Sequence, residues 1–203
     1  MAIITVPIAK WDRRDSVYAG YPPPRQNPTL LFAEQHHGPG LPSFTVIGAP
    51  GDIQRDARDL VRSALIASGS PWPTHRVTIN LAPAPVYRRQ TRGTELAMAL
   101  GHMELMGSLP PGAMAGVGVI GELRPDGTVE SVHEIAPLMA VLVDAARTII
   151  VPQDNLAAAQ TSAAAGVTLI PATSLPQLRV TLTARLHPAG SPERMHHNDS
   201  YNA

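Results

Sequence analysis

The chain has 203 residues, no cysteine, and equal numbers of acidic and basic side chains, so its formal net charge is zero. The lack of cysteine excludes disulfides and thiolate zinc sites, and the zero net charge argues against broad electrostatic attraction to nucleic acid. No apolar run approaches the roughly 18 residues of a membrane-spanning helix. The short apolar start is followed by charge, the wrong order for a signal peptide. These features predict a soluble cytoplasmic protein.

The length fits one domain of ordinary size with tails. Residues 1–28 are rich in proline and are predicted to form a divergent lead, with a strand over Ala2–Ile8 that Pro7 places at a sheet edge. The segment Trp11–Pro28 is predicted to be an irregular linker. Residues 29–187 are predicted to form the domain itself. Residues 188–203 lack apolar periodicity, which predicts a disordered tail.

The first half of this domain alternates strands with two helices. Apolar residues recur at helical spacing from residue 51 to residue 68, and alternate with polar ones from residue 76 to residue 81. A loop at His36–Pro42 is predicted between the strands Thr29–Gln35 and Ser43–Gly48. The predicted elements are strands at Thr29–Gln35, Ser43–Gly48 and Arg76–Leu81, and helices at Gly51–Ser68 and Thr94–Met106.

The second half continues the alternation after a hairpin. The turn Pro125-Asp126-Gly127 joins a strand at Val117–Leu123 to a returning strand at Thr128–Val132. The remaining predicted elements are helices at Glu134–Ala146, Asn155–Ala165 and Leu175–Leu186, and strands at Thr148–Val151 and Val167–Ile170. This order predicts a mixed α/β (α+β) domain in which helices cover a sheet.

Several ordered motifs carry a family resemblance. They read GLPSFTVIGAP, RDLVRSAL, RVTINLAPA, ELAMALG, GVIGELRPDGTV and TIIVPQDNLAAA. The segment Gly40–Leu186 resembles the N-terminal domain of the ComM-type magnesium chelatase ChlI-like ATPases. That resemblance implies the fold of the Lon-protease proteolytic domain and of ribosomal protein S5 domain 2, a mixed sheet covered by helices.

The chain departs from that family in lacking a phosphate-binding loop. No G-x-x-x-x-G-K-[ST] motif is present, and Lys10 is the only lysine. ATP hydrolysis by this chain is therefore not expected. Because the ATPases of the family form rings, the resemblance implies two kinds of partner, namely further copies of this chain or a separately encoded AAA+ ring ATPase.

The Ser-Lys dyad of Lon-type proteolysis, in which an amine takes the serine proton, is also not expected. The resemblance places the serine within residues 90–95, which contain none, and the lysine at Ile135. Thr91 and Thr94 supply the hydroxyls there, but arginine is too basic to serve as their base. The sequence thus predicts no catalytic residue and no cofactor.

Ser131, His133 and Glu134 place a hydroxyl, an imidazole and a carboxylate within four positions. Triads are assembled from distant segments, because near neighbours rarely aim at one point. On a strand end, Ser131 and His133 would face one way and Glu134 the other. The favoured interpretation is that this segment caps the helix beginning near Glu134.

Three arginines form the densest basic patch, in a loop before the second helix: Arg88, Arg89 and Arg92. They are the candidate contact for a phosphate or a partner, against the simpler interpretation of a solvated loop balanced by Glu95. The adjacent histidine pairs His36-His37 and His196-His197 make poor chelates without a third ligand, so no metal site is predicted. Met98, Met103 and Met106 are interpreted as core filler.

These patterns predict a non-catalytic assembly or interaction module, a pseudoenzyme of Lon-like fold. Two alternatives stay open. One is a DNA-processing accessory factor that acts with a ring ATPase and contacts nucleic acid through the arginine patch. The other is a Lon-like peptidase with a rebuilt active site. The sequence names neither the partner nor a ligand.

Overall fold

The computed structural model describes residues 3–12, 27–48, 51–83 and 93–186. The strands are β1 (Ile3–Asp12), β2 (Asn27–Gly38), β3 (Ser43–Ile47), β4 (Arg76–Ala82), β5 (Val117–Val119), β6 (Glu122–Leu123), β7 (Val129–Glu130), β8 (Thr148–Pro152) and β9 (Thr168–Ala172). The helices are α1 (Gly51–Ala67), α2 (Glu95–Leu105), α3 (Ile135–Leu142), α4 (Leu156–Ser162) and α5 (Leu175–Leu186).

Seven of these strands form one mixed sheet in the order β3-β4-β2-β1-β5-β8-β9. Only β2 runs antiparallel to its neighbours β1 and β4, and the other pairings in this sheet are parallel. Six strands therefore end at the same edge, called the carboxyl edge below, and start at the opposite, amino edge. Helices α1 and α2 run from the carboxyl edge to the amino edge.

Two apolar cores lie on the two faces of this sheet. The larger core joins α1, α2 and α5 to one face, and the smaller core joins α3 and α4 to the other. Helix α2 is buried on every side from its first residue, Glu95, to Met103. Met98 and Met103 are fully buried, which confirms their interpretation as core filler. The architecture confirms the predicted α/β fold class, a sheet covered by helices.

The prediction that the first strand lies at an edge is wrong. Strand β1 lies in the interior of the sheet, with Pro7 opposite Phe32 of β2 and Ile8 opposite Val119 of β5. Strand β1 pairs with β5 at a single residue, so the ladder on that side of β1 is short although the strand is interior. The linker prediction also fails at both of its ends, since β1 continues to Asp12 and β2 begins at Asn27.

Several other element bounds differ from the sequence prediction; α3 ends at Leu142 and α4 at Ser162, earlier than predicted. Two of the differences have a clear structural cause. The predicted loop at His36–Pro42 begins later, because β2 continues to Gly38 as a partner of β4. The predicted strand Val117–Leu123 is split at Gly121, whose φ of 147° suits glycine and turns the chain out of the main sheet. The resulting β6–β7 hairpin closes around the predicted turn, where Gly127 N–H donates to the Arg124 carbonyl at 2.9 Å.

Candidate functional site

Helix α2 begins at the carboxyl edge, against strand β1. Gly93 precedes the helix with a φ of 87°. A Cβ atom added there would lie 3.3 Å from the Cβ of Lys10, so the backbone passes close to the lysine side chain. The fold therefore brings the chain's only lysine to the start of α2, the place where the Lon-like resemblance puts a nucleophile. This contact has no signal in the sequence, because Lys10 and Gly93 are far apart in the chain.

Three polar residues at this position are buried. Lys10 and Glu95 are each 4% exposed, and Thr94 is 0% exposed. The backbone N–H of Thr94 donates to Oε2 of Glu95 at 3.1 Å. A helix N-terminus carries unsatisfied N–H groups and a partial positive charge, both of which favour an anion. Here the carboxylate of the helix's own first residue accepts one of these N–H groups, so among the described residues the start of α2 is closed in part by its own side chain.

The two positions at which the resemblance places the Ser-Lys dyad hold neither a serine nor a lysine. At the first, Thr94 is the described hydroxyl nearest the helix start, and it is fully buried. At the second, Ile135 is 2% exposed and belongs to the smaller core with Leu138 and Met139. Thr91 lies outside the described residues. At the second position, then, an apolar side chain occupies the place expected for an amine.

The segment from Ser131 to Glu134 leads into α3. Ser131, His133 and Glu134 are all exposed, and His133 Nε2 lies 3.6 Å from Glu134 Oε1. Glu134 immediately precedes the helix with a φ of 46°, but its side chain makes no capping hydrogen bond. The structure thus confirms that this segment leads into the helix near Glu134. It does not show the Glu134 side chain capping that helix.

Asn155 holds this segment in place, a role that the sequence analysis missed. Its Oδ1 accepts from the Val132 N–H at 2.8 Å, and its Nδ2 donates to the Val132 carbonyl at 3.0 Å. This reciprocal pair satisfies both backbone groups of one loop residue. An asparagine just after a short buried strand was the available signal, because its amide can imitate a backbone partner.

The predicted arginine contact is not described by the structure. Arg88, Arg89 and Arg92 lie outside the described residues, as do His196 and His197. The assignment of the arginine patch as a phosphate or partner contact stays a prediction.

The amino edge carries an open groove of about 450 Å³, lined by His37, Gly38, Pro39 and His75. The rings of His37 and His75 have centroids 5.4 Å apart and planes inclined by 42°. His36 precedes His37 on β2, and its side chain points to the opposite face of the sheet because neighbours on a strand alternate. The groove therefore pairs His37 with a distant histidine and not with its sequence neighbour.

A buried aromatic cluster lies near this groove. The Phe44 ring stacks on Trp72 at 4.9 Å between centroids, and the His102 ring lies 5.8 Å from Phe44 and 5.9 Å from Trp72. His102 Nε2 is 3.2 Å from the Pro71 carbonyl oxygen. Burial lowers the pKa of His102 from 6.5 to about 4, so this ring is neutral near pH 7. The sequence analysis did not single out this residue.

The described part of the chain lacks two kinds of feature. Within residues 3–12, 27–48, 51–83 and 93–186, no three His, Asp or Glu side chains are grouped so as to hold a metal ion. None of the helices described there has both the length and the apolar character needed to cross a membrane.

Comparison with known proteins places the chain among relatives. The family model for the ChlI subunit of Mg-chelatase matches residues 33–155, more than half of the chain. The chain is 33% identical over 129 residues to the uncharacterized protein YifB of Escherichia coli, a match covering 64% of this chain and 25% of YifB. It is 30% identical over 126 residues to the competence protein ComM of Haemophilus influenzae, covering 62% and 25%. The matches thus span about a quarter of these relatives' lengths. The chain belongs to the family of the ChlI subunit of Mg-chelatase.

Proposed function

We propose that this chain is a non-catalytic assembly or interaction module of the ChlI family. The observation that carries the proposal is the closed start of α2. Glu95 places its own carboxylate on the Thr94 N–H at 3.1 Å, and both residues are buried. A site that bound and cleaved a peptide would need this helix start to be open to substrate.

The chemistry of the surrounding residues supports the same proposal. Covalent catalysis by a hydroxyl requires a nucleophile that the substrate can reach and a base within hydrogen-bond distance. Thr94 is 0% exposed, and Ile135, at the position expected for the dyad lysine, has no titratable group. The scaffold is therefore retained while the proton-transfer side chains are replaced.

Partner binding is the role that remains for such a scaffold. The sequence contains no phosphate-binding motif. We infer that nucleotide chemistry, where it is needed, comes from a ring ATPase of the family with which this domain assembles. Further copies of this chain, or that ring, are the expected partners.

The test measures assembly and activity on the same purified, untagged protein. Light scattering gives its mass in solution, and co-sedimentation with a ChlI-family ATPase from the same genome measures docking. We expect an oligomer or a stable complex with the ATPase, and no hydrolysis of ATP or of unfolded protein by the chain alone. A monomer that neither joins the ATPase nor changes its turnover would refute the proposed role.

One observation favours a second candidate, a peptidase with a rebuilt active site. Strand β1 brings Lys10, a residue type that can act as a general base when buried, against Gly93, next to Thr94. Turnover of unfolded protein that disappears in both Thr94→Val and Lys10→Met would establish this candidate. Turnover that is absent, or that survives both changes, would remove it.

A further inference from the structure

His37 and His75 come together although they are distant in sequence. His37 lies near the end of β2, and His75 immediately precedes β4, its neighbour in the sheet. Their ring centroids are 5.4 Å apart, and both side chains are half-buried. Both rings line the open groove at the amino edge, so a small ligand can approach them from solvent.

The separation of the rings fits two ligands of one metal ion. Imidazole nitrogens bind Zn²⁺ at about 2.0–2.1 Å, and two such bonds at a tetrahedral angle place the ring centroids roughly 5 Å apart. The observed 5.4 Å is close to that value. The separation of the two rings is therefore compatible with both imidazoles binding one metal ion.

A neighbouring hydroxyl is placed to orient one of the rings. Thr74 Oγ1 lies 3.1 Å from Nδ1 of His75. When Nδ1 carries the proton and donates to this oxygen, Nε2 keeps its lone pair for a metal. Metal-binding histidines commonly hold their second nitrogen in such a hydrogen bond, which fixes the tautomer and the ring orientation.

The electrostatic setting also suits a cation. Helices α1 and α2 both end at the amino edge, and the carboxyl end of a helix carries partial negative charge. The Arg76 guanidinium lies nearby, but it packs against Gly40, where an added Cβ would be 3.3 Å from its Nη2. Since Arg76 and Val77 alternate along β4, and Val77 is opposite His37, Arg76 points to the other face of the sheet.

We propose that His37 and His75 form a binding site for a divalent transition-metal ion of the imidazole-preferring class, Cu²⁺, Ni²⁺ or Zn²⁺. The groove leaves the remaining coordination positions open to water or to an exogenous ligand. This site lies at the edge opposite the start of α2 and does not depend on the proposed assembly role.

The experiment measures Cu²⁺ and Zn²⁺ binding to the untagged 203-residue chain. Cu²⁺ is the stronger probe because divalent affinities peak at copper. All variants carry His196→Ala and His197→Ala, so that this adjacent pair does not contribute. His37→Ala and His75→Ala are compared with His36→Ala, the matched control on the opposite face of β2. Circular dichroism checks that each variant folds, and His37→Gln and His75→Gln replace any alanine variant that does not.

We expect His37→Ala and His75→Ala each to lower Cu²⁺ affinity by well over tenfold, because loss of an outer-shell partner alone costs about 10–100-fold. Thr74→Val should lower it by about tenfold, and His36→Ala should leave it unchanged. The electron paramagnetic resonance spectrum of bound Cu²⁺ should show coupling to two imidazole nitrogens. Binding that is equal in all folded variants, or that is lost with His36→Ala, would overturn the proposal.

Discussion

The two edges of the sheet differ in how the same helix meets them. At the carboxyl edge, α2 starts among buried polar groups, with the carboxylate of Glu95 on the Thr94 N–H and the side chain of Lys10 against Gly93. At the amino edge, the last turns of α2 carry the buried His102, near an open groove lined by two imidazoles. One helix thus begins in a closed polar site and ends near an accessible one.

This difference shows where ligand chemistry can occur in this chain. The acidic first residue of α2 accepts from the Thr94 N–H, so this backbone donor at the helix start is satisfied without any outside anion. The amino edge keeps two half-buried imidazoles, His37 and His75, that line an open groove. The proposed metal site follows from that contrast, and four predictions test the energetics on each side of it.

The largest expected effect is the loss of folding stability at low pH, caused by His102 near the amino edge. The pKa of His102 is lowered to about 4 by burial, so as pH falls the unfolded chain takes up a proton near pH 6.5, before the folded chain does. Stability contributed by the neutral ring is therefore complete above pH 6.5 and is lost as pH falls toward 4, by roughly 3 kcal/mol.

Urea unfolding at pH 7 and pH 4.5 measures this loss. The matched variant His102→Gln shares the remaining titrating groups, so the difference between the two pH dependences isolates the ring. Equal pH dependence in the two proteins would show that His102 does not stay neutral in the folded state.

The next effect concerns the middle of α2, which joins the two edges. A Cβ at Gly101 would overlap the amide of Gln35, whose Nε2 donates to the Ala97 carbonyl at 3.0 Å. Gly101→Ala should lower the free energy of unfolding by about 2 kcal/mol through overpacking and loss of that bond. Gly51→Ala, where an added Cβ meets nothing within 4 Å, should stay within about 0.5 kcal/mol of wild type.

A double-mutant cycle sharpens this prediction. If the overlap is the cause, Gln35→Ala should cost less in the Gly101→Ala background than in wild type, because the clashing amide is already gone. Strictly additive costs would locate the damage elsewhere.

A smaller effect is expected at the closed edge. Glu95→Ala removes the acceptor of the buried Thr94 N–H and should cost about 1–2 kcal/mol. Glu95→Gln keeps an acceptor oxygen at the same position and should cost less. Denaturant unfolding measures both, and equal costs would mean that the charge and not the hydrogen bond closes the helix start.

The smallest expected change in stability concerns an exposed ion pair, which serves as a reference for the buried carboxylate of Glu95. Arg124 Nη1 and Glu130 Oε1 are 2.7 Å apart on the β6–β7 hairpin, with side chains 53% and 46% exposed. Glu130→Ala should change the free energy of unfolding by no more than about 0.5 kcal/mol, since exposed ion pairs contribute little. A cost as large as that of Glu95→Ala would contradict the distinction between buried and exposed carboxylates.

Local sequence pattern was sufficient to predict the type of most elements. The bounds of α5 were predicted to the residue, and the hairpin turn at Asp126-Gly127 was found where its residues indicated. The burial of α2 on every side had no signal in the local pattern, because the polar residues Glu95 and His102 are buried there among apolar ones. The spacing of apolar residues indicates which face of a helix is buried. It cannot show that a polar side chain is also buried by segments distant in the sequence.

The sites were harder to predict because they depend on contacts between distant segments. That Ile135 lacks a titratable group was readable from the sequence, but the placement of Lys10 beside Gly93 required the sheet topology. The pairing of His37 with His75 likewise follows from the register between β2 and β4. The adjacent pair His36-His37, which the sequence makes conspicuous, is divided between the two faces of the sheet.

The interior position of β1 has a consequence for how the domain is made. Among the described strands, β1 alone connects the group β3-β4-β2 to the group β5-β8-β9. Until it is inserted, each group is an incomplete three-stranded layer with an unpaired border, a state that favours pairing with foreign strands. Deleting residues 1–12 should therefore yield an aggregating protein and not a smaller stable one, because the same backbone segment that completes the sheet also shields both borders.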